Sequence, residues 1–149
     1  MTWEYIAGFF DGEGTIAHNG NGYRVVIPQT NLEVLEEIHA FTGIGHVSQV
    51  TKRKSHWKDA WIYYIAKQEH VLQFLGHVDA LLIVKKNAAE CAIADLIPEV
   101  ERQQAIVEKR RQRLSEAKAL REEGLTFREI GSRIGLNWSY VRRALLKTN

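Results

Sequence analysis

The stretch that most constrains this chain is Ile6-Ala7-Gly8-Phe9-Phe10-Asp11-Gly12-Glu13-Gly14. Thr2 is a good N-cap ahead of Trp3 and Glu4, so the sequence predicts a short helix running to about Gly12. Gly8 and Gly12 stand four apart and stack on one helical face without side chains, where another backbone can approach closely. Asp11 and Glu13 follow where the chain leaves the helix. The helix dipole makes that end unfavourable for anions. Two acids there point to a cation, and clustered oxygen ligands suit Mg²⁺ or Ca²⁺. Without any function, the same residues describe an amphipathic N-terminal helix closing in a glycine-rich turn.

The rest of the chain limits what such a helix can serve. At 149 residues there is room for one ordinary domain, or one plus a small appendage. No run is long and apolar enough to span a membrane, and the N-terminus lacks a basic leader ahead of its apolar stretch. A single cysteine, Cys91, rules out an intramolecular disulfide and fits a reducing, intracellular setting; the expectation is a small buried residue on a helix. Charge is uneven: residues 1–98 sum to −3 and residues 99–149 to +5. A basic C-terminal third fits nucleic acid, and solvated helix faces give the same count.

Thr15-Ile16-Ala17-His18-Asn19 reads as a strand, Gly20-Asn21-Gly22 as a turn, and Tyr23-Arg24-Val25-Val26-Ile27 as the return strand. Pro28 is expected to end it, because proline cannot donate to a ladder. Asn31 can cap a helix carrying Leu32, Leu35, Ile38 and His39, stopped by Gly43 and Gly45. His46 to Thr51 is a third strand. A basic loop, Lys52-Arg53-Lys54-Ser55-His56-Trp57-Lys58, leads to a fourth, Ala60 to Ile65. A helix from about Gln68 to Leu75 is expected to break at Gly76. A long helix starts near Lys85 and runs toward Ile97, where Pro98 breaks or kinks it. The plan is α+β, one antiparallel sheet with helices on one face. Alternation places Asn19, Asn21, Arg24, Ser48, Lys52 and Lys54 on the free face; an ordinary wetted sheet surface is the alternative.

Position by position, the opening stretch resembles the signature of the LAGLIDADG homing endonucleases. Ile6 stands for the first Leu, Ala7 and Gly8 are unchanged, and Phe9 and Phe10 stand for Leu and Ile. Asp11 takes the first Asp, Gly12 the second Ala, Glu13 the second Asp and Gly14 the last Gly. Glu13 keeps the carboxylate but lengthens it by one methylene. The element order matches that fold, αββαββα with a saddle-shaped antiparallel sheet, over roughly residues 3–97. The resemblance implies that the saddle lies on the major groove of double-stranded DNA, with Arg53 in the contacting loop as well. It implies catalytic roles for Glu13 and Asp11, for Gln29 after the second strand, and for Lys85 at the head of the long helix, with Lys86 competing. One signature cannot complete the family's active site. The chain is therefore expected to homodimerise through Gly8 and Gly12, bringing two Glu13 carboxylates together around Mg²⁺, with the Gly12 carbonyl as a further ligand.

The sequence divides into residues 1–98, a helical connector over 99–113, and a module over 114–149. In the last, Thr126-Phe127-Arg128-Glu129 is a capping box, Gly135 suits a sharp turn, and Asn137 caps a final helix with Val141, Ala144 and Leu145 inward. This looks like a helix-turn-helix of the resolvase and sigma-factor kind. Trp138, Ser139, Tyr140, Arg142 and Arg143 would then lie on or beside the groove-facing side, although a three-helix packing or dimer module has the same pattern. Together the two halves imply a Mg²⁺-dependent, homodimeric, site-specific DNA endonuclease. The alternatives are a non-cleaving transcriptional regulator on the same fold and an intron RNA maturase.

Overall fold

The computed structural model describes residues 1–146 except Arg53, Ser55 and Trp57. The chain forms two compact units, residues 1–100 and 101–149.

In the first unit, α1 (Trp3–Glu13) is followed by the hairpin β1 (Thr15–Asn19) and β2 (Gly22–Gln29), then α2 (Leu32–Thr42), β3 (His46–Gln49), β4 (Trp61–Ile65) and α3 (Gln68–Val78). Thr2 caps α1, its side chain accepting from the Tyr5 amide. The four strands make one antiparallel sheet in the order β1-β2-β4-β3. Paired residues point to the same face, so the register sorts every side chain. Val25 opposes Ile65 and Ile27 opposes Tyr63, and all four are fully buried beneath the helices. The core is built from them with Ile6, Ala7 and Phe10 of α1, Leu35 and Ile38 of α2, and Val71, Phe74 and Leu75 of α3. Tyr63 is buried with its hydroxyl donating to the Ile44 carbonyl at 2.8 Å, and burial pushes its pKa up to about 12.

The other face carries Thr15, Ala17, Asn19, Arg24, Val26, Pro28, Ile62, Tyr64, His46 and Ser48 in paired rows. None of them belongs to the buried core or to the side chains packed against it. Asn19, Arg24 and Ser48 therefore lie where alternation placed them.

Several boundaries differ from the sequence reading. β3 ends at Gln49 rather than Thr51. Pro28 lies inside β2, opposite Ile62. β1 begins at Thr15 opposite Val26, so by Pro28 that edge of β2 has no ladder left to donate to. Gly76 does not break α3, which continues to Val78. Pro98 does not break the long helix: α4 runs from Lys86 to Glu122 as one element. Pro98 is exposed, so the Ala94 carbonyl it leaves unpaired can be solvated. Cys91 is exposed rather than buried. The inward stripe of α4 is Ala89, Ala92 and Leu96, and Cys91 falls beside it.

In the second unit, the end of α4 packs with α5 (Phe127–Ile134) and α6 (Trp138–Leu146) around Ala117, Leu120, Ile130, Ile134 and Val141. The Thr126–Glu129 capping box opens α5, and Gly135 closes it in the left-handed region at φ 67°. Gly131 is fixed sterically: a Cβ there would lie 2.6 Å from the Leu136 carbonyl oxygen. Asn137 opens α6, its side chain accepting from the Ser139 amide at 2.9 Å. No helix among the described residues is long and apolar enough to cross a membrane.

Candidate active site and nucleic-acid interface

The site is built where α1 ends. Asp11 turns back, and its carboxylate accepts from three consecutive backbone amides at the start of α4: Ile83 at 3.0 Å, Val84 at 2.9 Å and Lys85 at 2.8 Å. Those bonds, that from Val84 foremost, hold the Asp11 carboxyl below its ordinary pKa. The Lys85 amide is one that the start of α4 leaves without a helical partner, and the three bonds place a negative charge at that positive end. The Lys85 ammonium answers in the opposite direction, donating to the Asp11 carbonyl at the end of α1. It also lies 6.0 Å from the centre of the Phe10 ring. Two chain segments more than seventy residues apart are thus locked end to end by one Asp–Lys pair. Lys86, the competing lysine, opens α4 and is exposed.

Glu13 is the last residue of α1 and is exposed. No hydrogen bond or ion pair from another described residue holds its carboxylate. A carboxylate beside helix-end carbonyls is a hard-oxygen donor set that fits a divalent cation such as Mg²⁺. Among the described residues no three His, Cys, Asp or Glu side chains converge as they would around a metal ion. Gln29 ends β2 and folds back locally, its side-chain Oε1 accepting from the Thr30 amide at 2.8 Å.

The three glycines of the motif are not equivalent. A Cβ at Gly14 would lie 2.0 Å from the Phe10 ring, so the chain's own corner requires glycine there. At Gly8 and Gly12 an added Cβ meets nothing within 4 Å. Tyr5, on the same face of α1, is half exposed, and Ile83 and Val84 are 86% and 80% exposed.

A family model described as a LAGLIDADG-like domain matches residues 2–79. The chain belongs to the LAGLIDADG family. Its fold is also that of solved homing endonucleases. One is I-CvuI in complex with its target in the presence of calcium, at 16% identity and a TM-score of 0.51, over 97% of this chain and 92% of that one. Another is the archaeal intron-encoded homing endonuclease I-Vdi141I complexed with DNA, at 18% and 0.52, over 97% and 94%. The meganuclease I-AabMI bound to uncleaved DNA aligns at 20% and 0.52, over 74% of this chain but 42% of its own. No curated protein sequence matches the chain.

The residues expected to meet DNA fall into three groups. Asn19, Arg24 and Ser48 share the uncovered face, and Asn21 sits in the β1–β2 turn, where its amide donates to the Asn19 side chain at 3.2 Å. Lys52 is ion-paired with Asp59 at 2.9 Å in the β3–β4 loop, which also holds the exposed Lys54; Arg53 lies outside the described residues. On α6, Trp138 is 44% exposed beneath the Arg128 guanidinium, 5.7 Å from its ring centre. Tyr140 lies under Arg110, Arg143 donates to the Ser139 carbonyl, and Arg142 is exposed. Sequence reasoning missed Ile62, Tyr64 and His46 on the uncovered face. Only the pairing register reveals Ile62 and Tyr64, because β4 is apolar on both sides. It also missed the capping role of Asp11, whose partners lie far along the chain.

Proposed function

We propose that the protein is a homing endonuclease that works as a homodimer and makes a metal-dependent double-strand break in a long, near-palindromic DNA site. The observation that carries this reading is α1 itself. It presents two glycines with nothing to pack against, an unengaged Glu13 at its end, and Lys85 fixed beside that end. A second copy packing α1 against α1 gives Gly8 and Gly12 a purpose, covers exposed Tyr5, Ile83 and Val84, and supplies the second carboxylate that one chain lacks. Membership of the LAGLIDADG family, and the DNA complexes of similarly folded endonucleases, support the substrate class.

In this reading Glu13 and the Gly12 carbonyl of each copy hold the cation, which when bound as Mg²⁺ offsets the repulsion between the two carboxylates and lowers the pKa of water. Lys85 stabilises negative charge developing on the phosphate. Asp11 acts through Lys85: capping α4 fixes where that ammonium sits. Gln29 takes part only if its amide turns away from Thr30. The uncovered sheet face and its loops engage the major groove, one copy on each half-site. The C-terminal unit is a second reader, with α6 presenting Trp138, Ser139, Tyr140, Arg142 and Arg143 to flanking DNA. Selection of cleaved sites from a random duplex library with Mg²⁺ tests the proposal. One near-palindromic site cut on both strands is the expected result. Recovery of bound but never cleaved sites would favour a transcriptional regulator.

A further inference from the structure

The face of the sheet that no helix covers has an unexpected chemical map. Along β2 its side chains are Arg24, Val26 and Pro28; the paired residues of β4 are Tyr64 beside Val26 and Ile62 beside Pro28. His46 of β3 pairs with Tyr64, its ring edge-on at 5.0 Å, and Ser48 pairs with Ile62. No acidic residue stands on the face, which suits a polyanion. Yet its centre is apolar: Val26, Ile62 and Tyr64 are only half buried, and none joins the core. Val26 and Ile62 have no side-chain hydrogen bond to offer a base edge. In the major groove the apolar group available to such side chains is the thymine C5-methyl.

We infer that Val26 and Ile62 read thymine methyl groups at the centre of each half-site, with Tyr64 and Arg24 flanking them. The inference rests on the proposal that this face contacts DNA. Val26 and Ile62 lie in successive rows of one sheet face, about 6.8 Å apart along the strand. Base pairs rise by about 3.4 Å, so strands following the groove would set the two contacts about two base pairs apart. The ring of His46 against Tyr64 fixes the phenol beside Val26. Removing one methyl from such a contact should weaken binding about fourfold, the cost of one exposed methylene-sized group.

The test uses the full chain and duplex DNA. A bound site is first selected from a randomised library with the wild-type protein. Each thymine in that site is then replaced singly by uracil, which removes the methyl and leaves the base-pairing and groove hydrogen-bond groups in place. Binding is measured at constant salt. The expected result is a loss of about fourfold at two thymines per half-site, about two base pairs apart, and no change elsewhere. In Val26→Ser the penalty should vanish at one of these positions, and in Ile62→Ser at the other, with circular dichroism confirming the fold. The wild-type series decides the matter even if a variant misfolds. A selected site equally well bound with uracil at every position overturns this inference alone. A protein that selects no site overturns the DNA reading, and this inference with it.

Discussion

The glycines of α1 and those of the α5–α6 turn obey different rules. Gly131 cannot carry a side chain because the Leu136 carbonyl occupies the space, and Gly135 is held at a φ of 67° that favours glycine. Both are explained by their own chain. Gly8 and Gly12 have ordinary helical backbone and open space, so within one chain alanine would serve better. A helical turn whose glycines are accounted for internally is a finished module. A helix whose glycines are not is the surface we propose for a second copy, and the unengaged Glu13 at its end is the chemistry that copy would complete.

The sharpest way to break this contrast is at the end of α1. Glu13→Gln keeps the shape and loses the charge, so it should abolish cleavage while leaving DNA binding nearly intact. Parallel cleavage and binding titrations read both, and a variant that cuts at a comparable rate removes Glu13 from the site. Gly131→Ala should destabilise the C-terminal unit by about 1–3 kcal/mol, the usual cost of forcing a methyl into filled space. Denaturant unfolding measures it, and an unchanged midpoint would mean the turn has room that the 2.6 Å approach denies.

The Asp11 cap lends itself to titration. Its carboxyl is held below the ordinary value of 3.8 by the amides of Val84, Lys85 and Ile83 just ahead of α4, so its contribution is complete above that value. It is lost as pH falls through the depressed folded-state pKa. Hydrogen exchange at Ile83, Val84 and Lys85 should therefore stay protected through mildly acidic pH and open only in strong acid. Asp11→Asn should remove that acid-dependent opening and slow cleavage without changing site choice; persistence of the same transition would assign it to another group. The smallest effect belongs to Gly8→Ala. It should raise the stability of the isolated chain by about 0.5–1 kcal/mol and weaken self-association at the same time. A change of the same sign in both would contradict an interface at α1.

Local signals made most of the architecture legible. Asn-Gly at the first hairpin, alternation in β2, and the Thr126–Glu129 box each act within a few residues, and each stands where the sequence indicates. The misjudged boundaries were tertiary. Pro28 is tolerated because β1 has already run out beside it, and Pro98 because it faces solvent. The site was legible as residue types but not as partnerships. Asp11 reads as a second metal-binding acid from its place beside Glu13, whereas its oxygens are committed to amides at Ile83–Lys85. No local pattern encodes that contact. The apolar centre of the uncovered face was hidden for a related reason: Ile62 and Tyr64 alternate with buried Tyr63 and Ile65, and the run looks uniformly hydrophobic.

The central claim is that α1 is half of an active site. Sedimentation velocity of Gly8→Leu beside the wild type, with cleavage assayed on the same samples, tests it most directly. A Cβ at Gly8 meets nothing within 4 Å, so the variant should fold, sediment as a monomer, and lose cleavage while the wild type is a dimer that cuts. A folded Gly8→Leu dimer that still cleaves would show that α1 is not the interface.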